Sequence, residues 1–261
     1  MNNVIIVVTH KQCEIINNAL YQSVIVGNQD IKMPNSWRDN IGDNISSKNP
    51  YYCELTALYW FWKNKSFQYD NIGLCHYRRY FTKNPFSNQP KYFITDKDIN
   101  TYLNSYDIIL PQPFYWNTTV KDIYYNLGKG KKKDLELTQN ILQEIYLGFD
   151  KSFDLILNRH FSSYCNMFIT SRKKFNNYCD WLFTVLQHIE KQLDMTGYNK
   201  QEKRVFGYLS ELLLNAWSVH ENLKIKYIPI AYTDMSSKKF FIKTLKDLYP
   251  IKKIIYGRKY G

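Results

Sequence analysis

NIGLCHYRRYF, residues 71–81, is the stretch from which the fold is read. Asn71–Cys75 is a short apolar run that suits a central strand, and it leads straight into His76, Tyr77, Arg78 and Arg79. A buried strand that ends this way delivers its charges to the carboxyl edge of a sheet, where open α/β folds bind ligands. Upstream, Val4–Thr9 is an unbroken β-branched run, as expected of a parallel strand covered on both faces. Tyr21–Val26, closed by Gly27, predicts a second strand, and residues 29–50 a polar loop rich in Asn, Asp, Ser and Gly. Glu54–Lys63 predicts a helix that buries Leu55, Leu58 and Trp62 and leaves Glu54 and Lys63 toward a rim. Asp98–Ser105 predicts another helix, and Asp107–Leu110 a strand stopped by Pro111 and Pro113. The GKGKKK run at 128–133 reads as a solvated loop. Beyond about residue 134 the period turns helical over Leu135–Ile145, Arg172–Leu193 and Gln201–His220, with a strand at Cys165–Thr170. The class is α/β, with a mainly helical C-terminal part.

A chain of 261 residues buries enough apolar surface to fold without a staple. The five cysteines (Cys13, Cys53, Cys75, Cys165, Cys179) form no CxxC pair, which argues against a disulfide framework or structural zinc. The N-terminal apolar run lacks the length and basic lead-in of a signal peptide, and no stretch reaches the length of a membrane span. A cytoplasmic protein is expected, with peripheral attachment to the inner membrane face left open. The formal charge of +12 suits nucleic acid, an anionic membrane or phosphorylated small molecules. Nucleic acid is disfavoured, because no RNP-like run, zinc-finger spacing or helix-turn-helix is present. The absence of G-x-S-x-G and of zinc motifs likewise disfavours hydrolase chemistry. The 23 Tyr, 15 Phe and 6 Trp offer flat faces with polar edges for sugars or bases, although an A/T-rich genome inflates Tyr equally well.

Arginine keeps its charge and grips phosphate oxygens in a fixed fork, so Arg78 and Arg79 are candidates to hold a diphosphate without a metal. His76 beside them could donate to a phosphate or shuttle a proton. The competing possibility is that both arginines pair with structural carboxylates and His76 is a packed core residue.

NIGLCHYRRYF together with GDNISSKNPYYCELTALYWFWKN (42–64) resembles the DUF4422 family of bacterial capsule and exopolysaccharide biosynthesis proteins. DIILPQP (107–113), YCNMFITSRKKFNNYCDWLF (164–183) and RVFGYLSELLLNAW (204–217) extend the resemblance, which spans roughly residues 3–233. One departure stands out: relatives carry a histidine soon after the segment matching VKDIYYNL, where this chain has Gly128 or a neighbour. The resemblance implies a GT-A-like, Rossmann-type glycosyltransferase domain over 1–235. Its donor half would run to about 115 and a helix-rich acceptor half would follow, with a basic amphipathic tail at 236–261. The implied reaction moves a hexose, galactose in pyranose or furanose form, from a UDP-sugar to a lipid-linked capsular, O-antigen or exopolysaccharide acceptor. A non-catalytic carbohydrate-binding or scaffold subunit of a polysaccharide assembly complex is the alternative.

Such enzymes usually hold a metal on Asp-x-Asp at a strand end, but here that strand ends in His76-Tyr77-Arg78. Asp96-Lys97-Asp98 fits a helix N-terminus better. A metal-independent transfer is therefore expected, with Mn²⁺ and Mg²⁺ left open. Thr9, His10 and Lys11, at the end of the first strand, are placed at the nucleotide, and Asp39, Asp43, Asn44 and Ser46 at the ribose or sugar hydroxyls, against the alternative of an ordinary Asx-rich turn. Inversion needs a carboxylate to take the acceptor proton. Glu211 in its apolar helix is the candidate, Glu54 the competitor and a surface glutamate the plain alternative. Arg204, two helical turns before Glu211, orients it or binds substrate. Tyr77 and Asn166 are sugar contacts, and Trp60 and Trp181 are core residues before they are stacking platforms. Lys238, Lys239, Lys243, Lys246, Lys252, Lys253, Arg258 and Lys259, interleaved with Phe240, Phe241, Leu245, Leu248 and Ile254, suit either an anchor on an anionic membrane or a helix closing over the domain.

Overall fold

A computed structural model describes residues 1–245 apart from 15, 17, 28 and 29. The basic tail beyond 245, with Lys246, Leu248, Lys252, Lys253, Ile254, Arg258 and Lys259, lies outside the described residues. In chain order the elements are β1 (Asn3–Thr9), β2 (Tyr21–Ile25), β3 (Trp37–Arg38), α1 (Asn49–Tyr52), α2 (Leu55–Asn64), β4 (Asn71–His76), β5 (Arg79–Phe81), α3 (Asp96–Leu103), β6 (Ile108–Pro111) and β7 (Phe114–Tyr115). Then come α4 (Val120–Asn126), α5 (Lys132–Ile145), α6 (Phe149–Leu157), β8 (Phe161–Ser162), β9 (Phe168–Ser171), α7 (Arg172–Gln192), α8 (Val205–His220), β10 (Ile225–Ile228) and β11 (Ile230–Tyr232).

The main sheet runs β10-β6-β9-β4-β1-β2-β3. β4, β1, β2 and β3 are parallel, and β10 is parallel to β6. β9 lies antiparallel between β4 and β6, so a strand from residue 168 onward fills the middle of a sheet begun at residue 3. The alternation of β1 divides the core. Val4, Ile6 and Val8 pack under the helices of one face, with residues of α2, α7 and α8. Ile5 and Val7 pack on the other face, with Tyr80, Phe81, Phe93 and Ile99. Both faces are covered, which is why β1 reads as a continuous apolar run.

Gly73 lets β4 sit this tightly. A Cβ there would lie 2.8 Å from Ile169 Cγ1, 3.1 Å from Ile5 Cγ1 and 3.2 Å from the Phe168 carbonyl. Asp96-Lys97-Asp98 opens α3: Asp98 forms a capping box with Thr95 and pairs with Lys83 at 3.0 Å. Thr119 and Asp122 cap α4 in the same way. Several elements escape the periodicity, α6 and β5 among them. α6 is an amphipathic helix of nine residues that the helical pattern around it obscured, and β5 pairs with β4 only at His76 and Arg79. Trp60 and Trp181, at 4% and 5% exposure, belong to the core. No helix among the described residues is long and apolar enough to cross a membrane.

Candidate functional site

β4 and β5 form a hairpin whose two tip residues are Tyr77 and Arg78, because His76 pairs with Arg79 across it. The tip is tied to the end of β1, where the Tyr77 amide donates to the Val8 carbonyl at 3.0 Å. The carboxyl edges of β1 and β4 therefore open onto one place, a cleft of about 910 Å³. Its strand side presents His10, His76, Tyr77, Arg78 and Arg79. Its helical side presents Cys53, Glu54, Lys200, Arg204, Tyr208 and Glu211, and Lys129 reaches in from the turn before α5.

Cys165 joins the two sides. Its carbonyl accepts a hydrogen bond from His76 Nε2, while its amide donates to Glu211 Oε1 at 3.0 Å. This double use requires a kink ahead of β9, and Cys165 and Asn166 take positive φ values of 80° and 49°. Asparagine tolerates the left-handed region better than most residues. Here it is also held in place: Asn166 Nδ2 donates to Glu54 Oε1 at 2.7 Å and to the Gly207 carbonyl at 3.0 Å, and its Oδ1 accepts from Ser210. Asn166 thus sets Glu54, and its amide is fully engaged by protein groups.

A carbonyl only accepts, so the neutral His76 ring carries its proton on Nε2 and its lone pair on Nδ1. Burial pulls the His76 pKa below its ordinary 6.5, with Arg79 helping and Glu54 and the Cys165 carbonyl opposing. His10 is lowered too, by burial and then by Lys11, Arg204 and Arg78. Burial pushes the thiols of both Cys53 and Cys165 up to about 11, so neither is a thiolate nucleophile at neutral pH.

Five permanent cations line the cleft against two carboxylates. Arg78 reaches Asp234 at 3.0 Å, with both side chains roughly two-fifths exposed. Arg79 is half-buried, its Nε is enclosed without a hydrogen-bond partner, and among the described residues it makes no ion pair. Arg204 donates to Cys53 Sγ at 3.2 Å and lies over the Tyr208 ring. Glu211 is paired with Lys129 at 3.0 Å, both side chains largely enclosed (12% and 15% exposed).

The other expected donor residues take different places. Thr9 is buried, and its hydroxyl donates to the Lys11 carbonyl at 2.6 Å, which fixes the turn after β1. Lys11 lies over the Tyr77 ring, 5.1 Å from its centroid. Asp39 is fully buried and accepts from the Ser46 hydroxyl at 2.9 Å and the Gly27 amide at 3.2 Å, while burial raises its pKa. Asn44 makes an Asx-type turn with Ser46, and exposed Asp43 braces Tyr59 of α2. None of Thr9, Lys11, Asp39, Asp43, Asn44 and Ser46 is among the residues lining the cleft. Asp39, Asp43, Asn44 and Ser46 make the local contacts of an Asx-rich turn.

GKGKKK is not a wholly solvated loop. Lys129 turns inward and Lys132 already starts α5. Lys129, Lys200, Tyr164 and Tyr208 escaped the sequence reading. The signal for Lys129 was present, since a lysine between Gly128 and Gly130 sits where the backbone must turn sharply. Phe240 is a correction of another kind: it is 2% exposed and packs with the core beside Tyr232, so it cannot serve an interfacial face.

Among solved structures, the fold is similar to one described as the bifunctional glycosyltransferase WbbM in its apo form, with a TM-score of 0.78 and 27% sequence identity. The likeness covers 90% of this chain but 46% of that one, so this chain spans about half the length of its structural relative. No curated protein matches the sequence. The architecture is the α/β, GT-A-like one that the motifs implied, with its helix-rich C-terminal part. A family model described as "Domain of unknown function (DUF4422)" matches residues 4–222, which hold every residue lining the cleft. The chain belongs to the DUF4422 family.

Proposed function

We propose that the chain is a glycosyltransferase that moves a hexose, galactose in pyranose or furanose form, from a UDP-sugar to a growing capsular, O-antigen or exopolysaccharide acceptor. The observation that carries this reading is Arg79, a guanidinium drawn into the cleft that makes no ion pair among the described residues. A charge taken out of water is stable only when something pairs with it, and a diphosphate offers that partner. The likeness to a solved glycosyltransferase supports the reading.

On this reading the residues of the cleft take the following roles. The donor diphosphate lies on Arg79 and the hairpin tip, where Arg78 can leave exposed Asp234 for it. As the bond from anomeric carbon to phosphate oxygen breaks, the diphosphate takes the electron pair, and fixed cations stabilise that charge most where water is excluded. Glu211 accepts the proton of the attacking acceptor hydroxyl, which gives inversion. Glu54, held in place by Asn166, binds the sugar. The cations perform the neutralisation that a divalent ion performs elsewhere, so the transfer is metal-independent. A lipid-linked acceptor at an anionic membrane suits the basic tail.

The test is thermal stability of the purified chain with UDP, GDP, CMP and dTDP, each with Mn²⁺ or EDTA. A ligand confined to the native state at a hundred times its Kd adds about 2.7 kcal/mol. UDP should raise Tm in EDTA, and Arg79→Ala should abolish the rise while keeping the ligand-free Tm within a few degrees. A rise only with Mn²⁺ would overturn the metal-free mechanism. No rise with any nucleotide would favour the non-catalytic scaffold.

A further inference from the structure

Glu211 does not face the cleft alone. Lys129 Nζ lies 3.0 Å from its Oε2 and is boxed by the rings of Tyr164 and Tyr208, 4.1 and 5.3 Å from their centroids. A lysine is flexible and strongly hydrated, so holding one this enclosed requires a rigid mount. The turn that carries it has one. Gly128 adopts a φ of +60°, and the Lys129 amide donates to the Tyr124 carbonyl at 3.2 Å. Gly130 packs so closely that a Cβ would fall 2.1 Å from the Tyr124 hydroxyl and 2.3 Å from Asp134 Oδ2.

Asp134 is itself fully buried. It accepts the Lys131 amide at 2.7 Å, the Tyr124 hydroxyl at 3.0 Å and the Tyr198 hydroxyl. A buried carboxylate with three donors fixes its surroundings firmly. Tyr198 belongs to the segment that leads into Lys200 and Arg204, so the same carboxylate ties the Lys129 turn to the segment that carries the other cations of the helical side.

We infer that Lys129 is a positioning residue for transfer, which aims Glu211 as a carboxylate and supplies a cation to the cleft as the reaction proceeds. This rests on Glu211 being the base. Before reaction the ammonium neutralises Glu211. When the acceptor oxygen attacks the anomeric carbon, its proton passes to Glu211 and the bond to the donor phosphate breaks toward the diphosphate. Glu211 is then neutral, and Lys129 is left uncompensated in the cleft at the moment the diphosphate gains charge. One side chain thus serves the base before the transition state and the leaving group during it.

The experiment compares wild type, Lys129→Met, Lys129→Arg, Glu211→Gln and the double variant Lys129→Met/Glu211→Gln. Released UDP is measured with UDP-galactose in its pyranose and furanose forms and an octyl galactoside acceptor, and UDP affinity by calorimetry. Lys129→Met should lower kcat about a hundredfold, the scale of losing one fixed charge stabiliser, with UDP affinity within twofold of wild type. Lys129→Arg should recover at least a tenth of the wild-type rate. The double variant should lose less relative to Glu211→Gln than Lys129→Met loses relative to wild type, because the base-aiming role of Lys129 is already void once the carboxylate is gone. A merely structural lysine would add its loss to that of Glu211→Gln, and that outcome overturns the inference. A wild-type rate in Lys129→Met, or UDP binding that falls in step with kcat, overturns it as well. If Glu211→Gln turns over normally, the base assignment fails first and the inference falls with it.

Discussion

His76 illustrates what a single side chain does for this cleft. Its ring joins the strand that opens the site to the Cys165 kink that closes it, and the fold keeps it neutral. Its pKa is lowered in the folded state, so the unfolded chain binds the proton more readily. The stability that follows is complete above 6.5, the unfolded value, and is lost as pH falls through the lower folded pKa. Tm should therefore drop below pH 6.5, and His76→Gln, which keeps an N–H donor but cannot titrate, should flatten that drop. An identical acid limb in the variant would assign it to other groups, His10 among them. At this scale the sequence was informative where a residue's chemistry follows from its neighbours in the chain. His76, Arg78, Arg79 and Glu211 converge as their motifs implied. The roles of Lys129, whose turn the flanking glycines signalled, and of the Cys165 backbone come from partners 82 and 89 or 46 residues away, which no local motif displays. Asp43, Asn44 and Ser46 lie outside the cleft lining, a placement the sequence does not show because a polar loop after a strand looks the same whether it binds a ribose or braces a helix.

Among the elements, the turn from α4 to α5 leaves no room for a side chain at Gly130. Gly130→Ala places a methyl group inside the van der Waals shells of the Tyr124 hydroxyl and Asp134. Overpacking of this kind costs about 1–3 kcal/mol. The variant should melt at lower denaturant concentration with an unchanged m-value, and its transfer rate should fall further than stability alone explains, because Lys129 loses its aim. Normal stability would show that the turn relaxes freely. The long elements were legible beforehand: β1, β4, α2, α7 and α8 follow strong periodic runs, and the structure moves their ends by only a few residues. The short ones were not. β3, β5, β7 and β8 have two or three residues each, too few for a pattern, and they exist because the tertiary fold supplies their partners.

For the molecule as a whole, the formal charge of +12 and the outward side chains near the C-terminal end bear on where it works. Residues 237–245 are helical, with Phe240 buried and Phe241, Ile242 and Leu245 45%, 43% and 48% exposed. Changing those three exposed residues to serine should reduce co-sedimentation with phosphatidylglycerol vesicles several-fold, and high salt should weaken what binding is left. Unchanged retention would remove the membrane anchor. The strand order carries a different consequence. β9, made late, is the strand that bridges β4 and β6, and the kink just before it gathers His76, Glu54 and Glu211. A nascent chain that has left the ribosome only as far as β6 holds one open edge on β4 and a β6 with no partner at all, exposed to whatever else could pair there. The cleft is complete only once β9 and the kink before it are in place, so a chaperone that shields the gap until residue 171 emerges would be guarding the cleft itself.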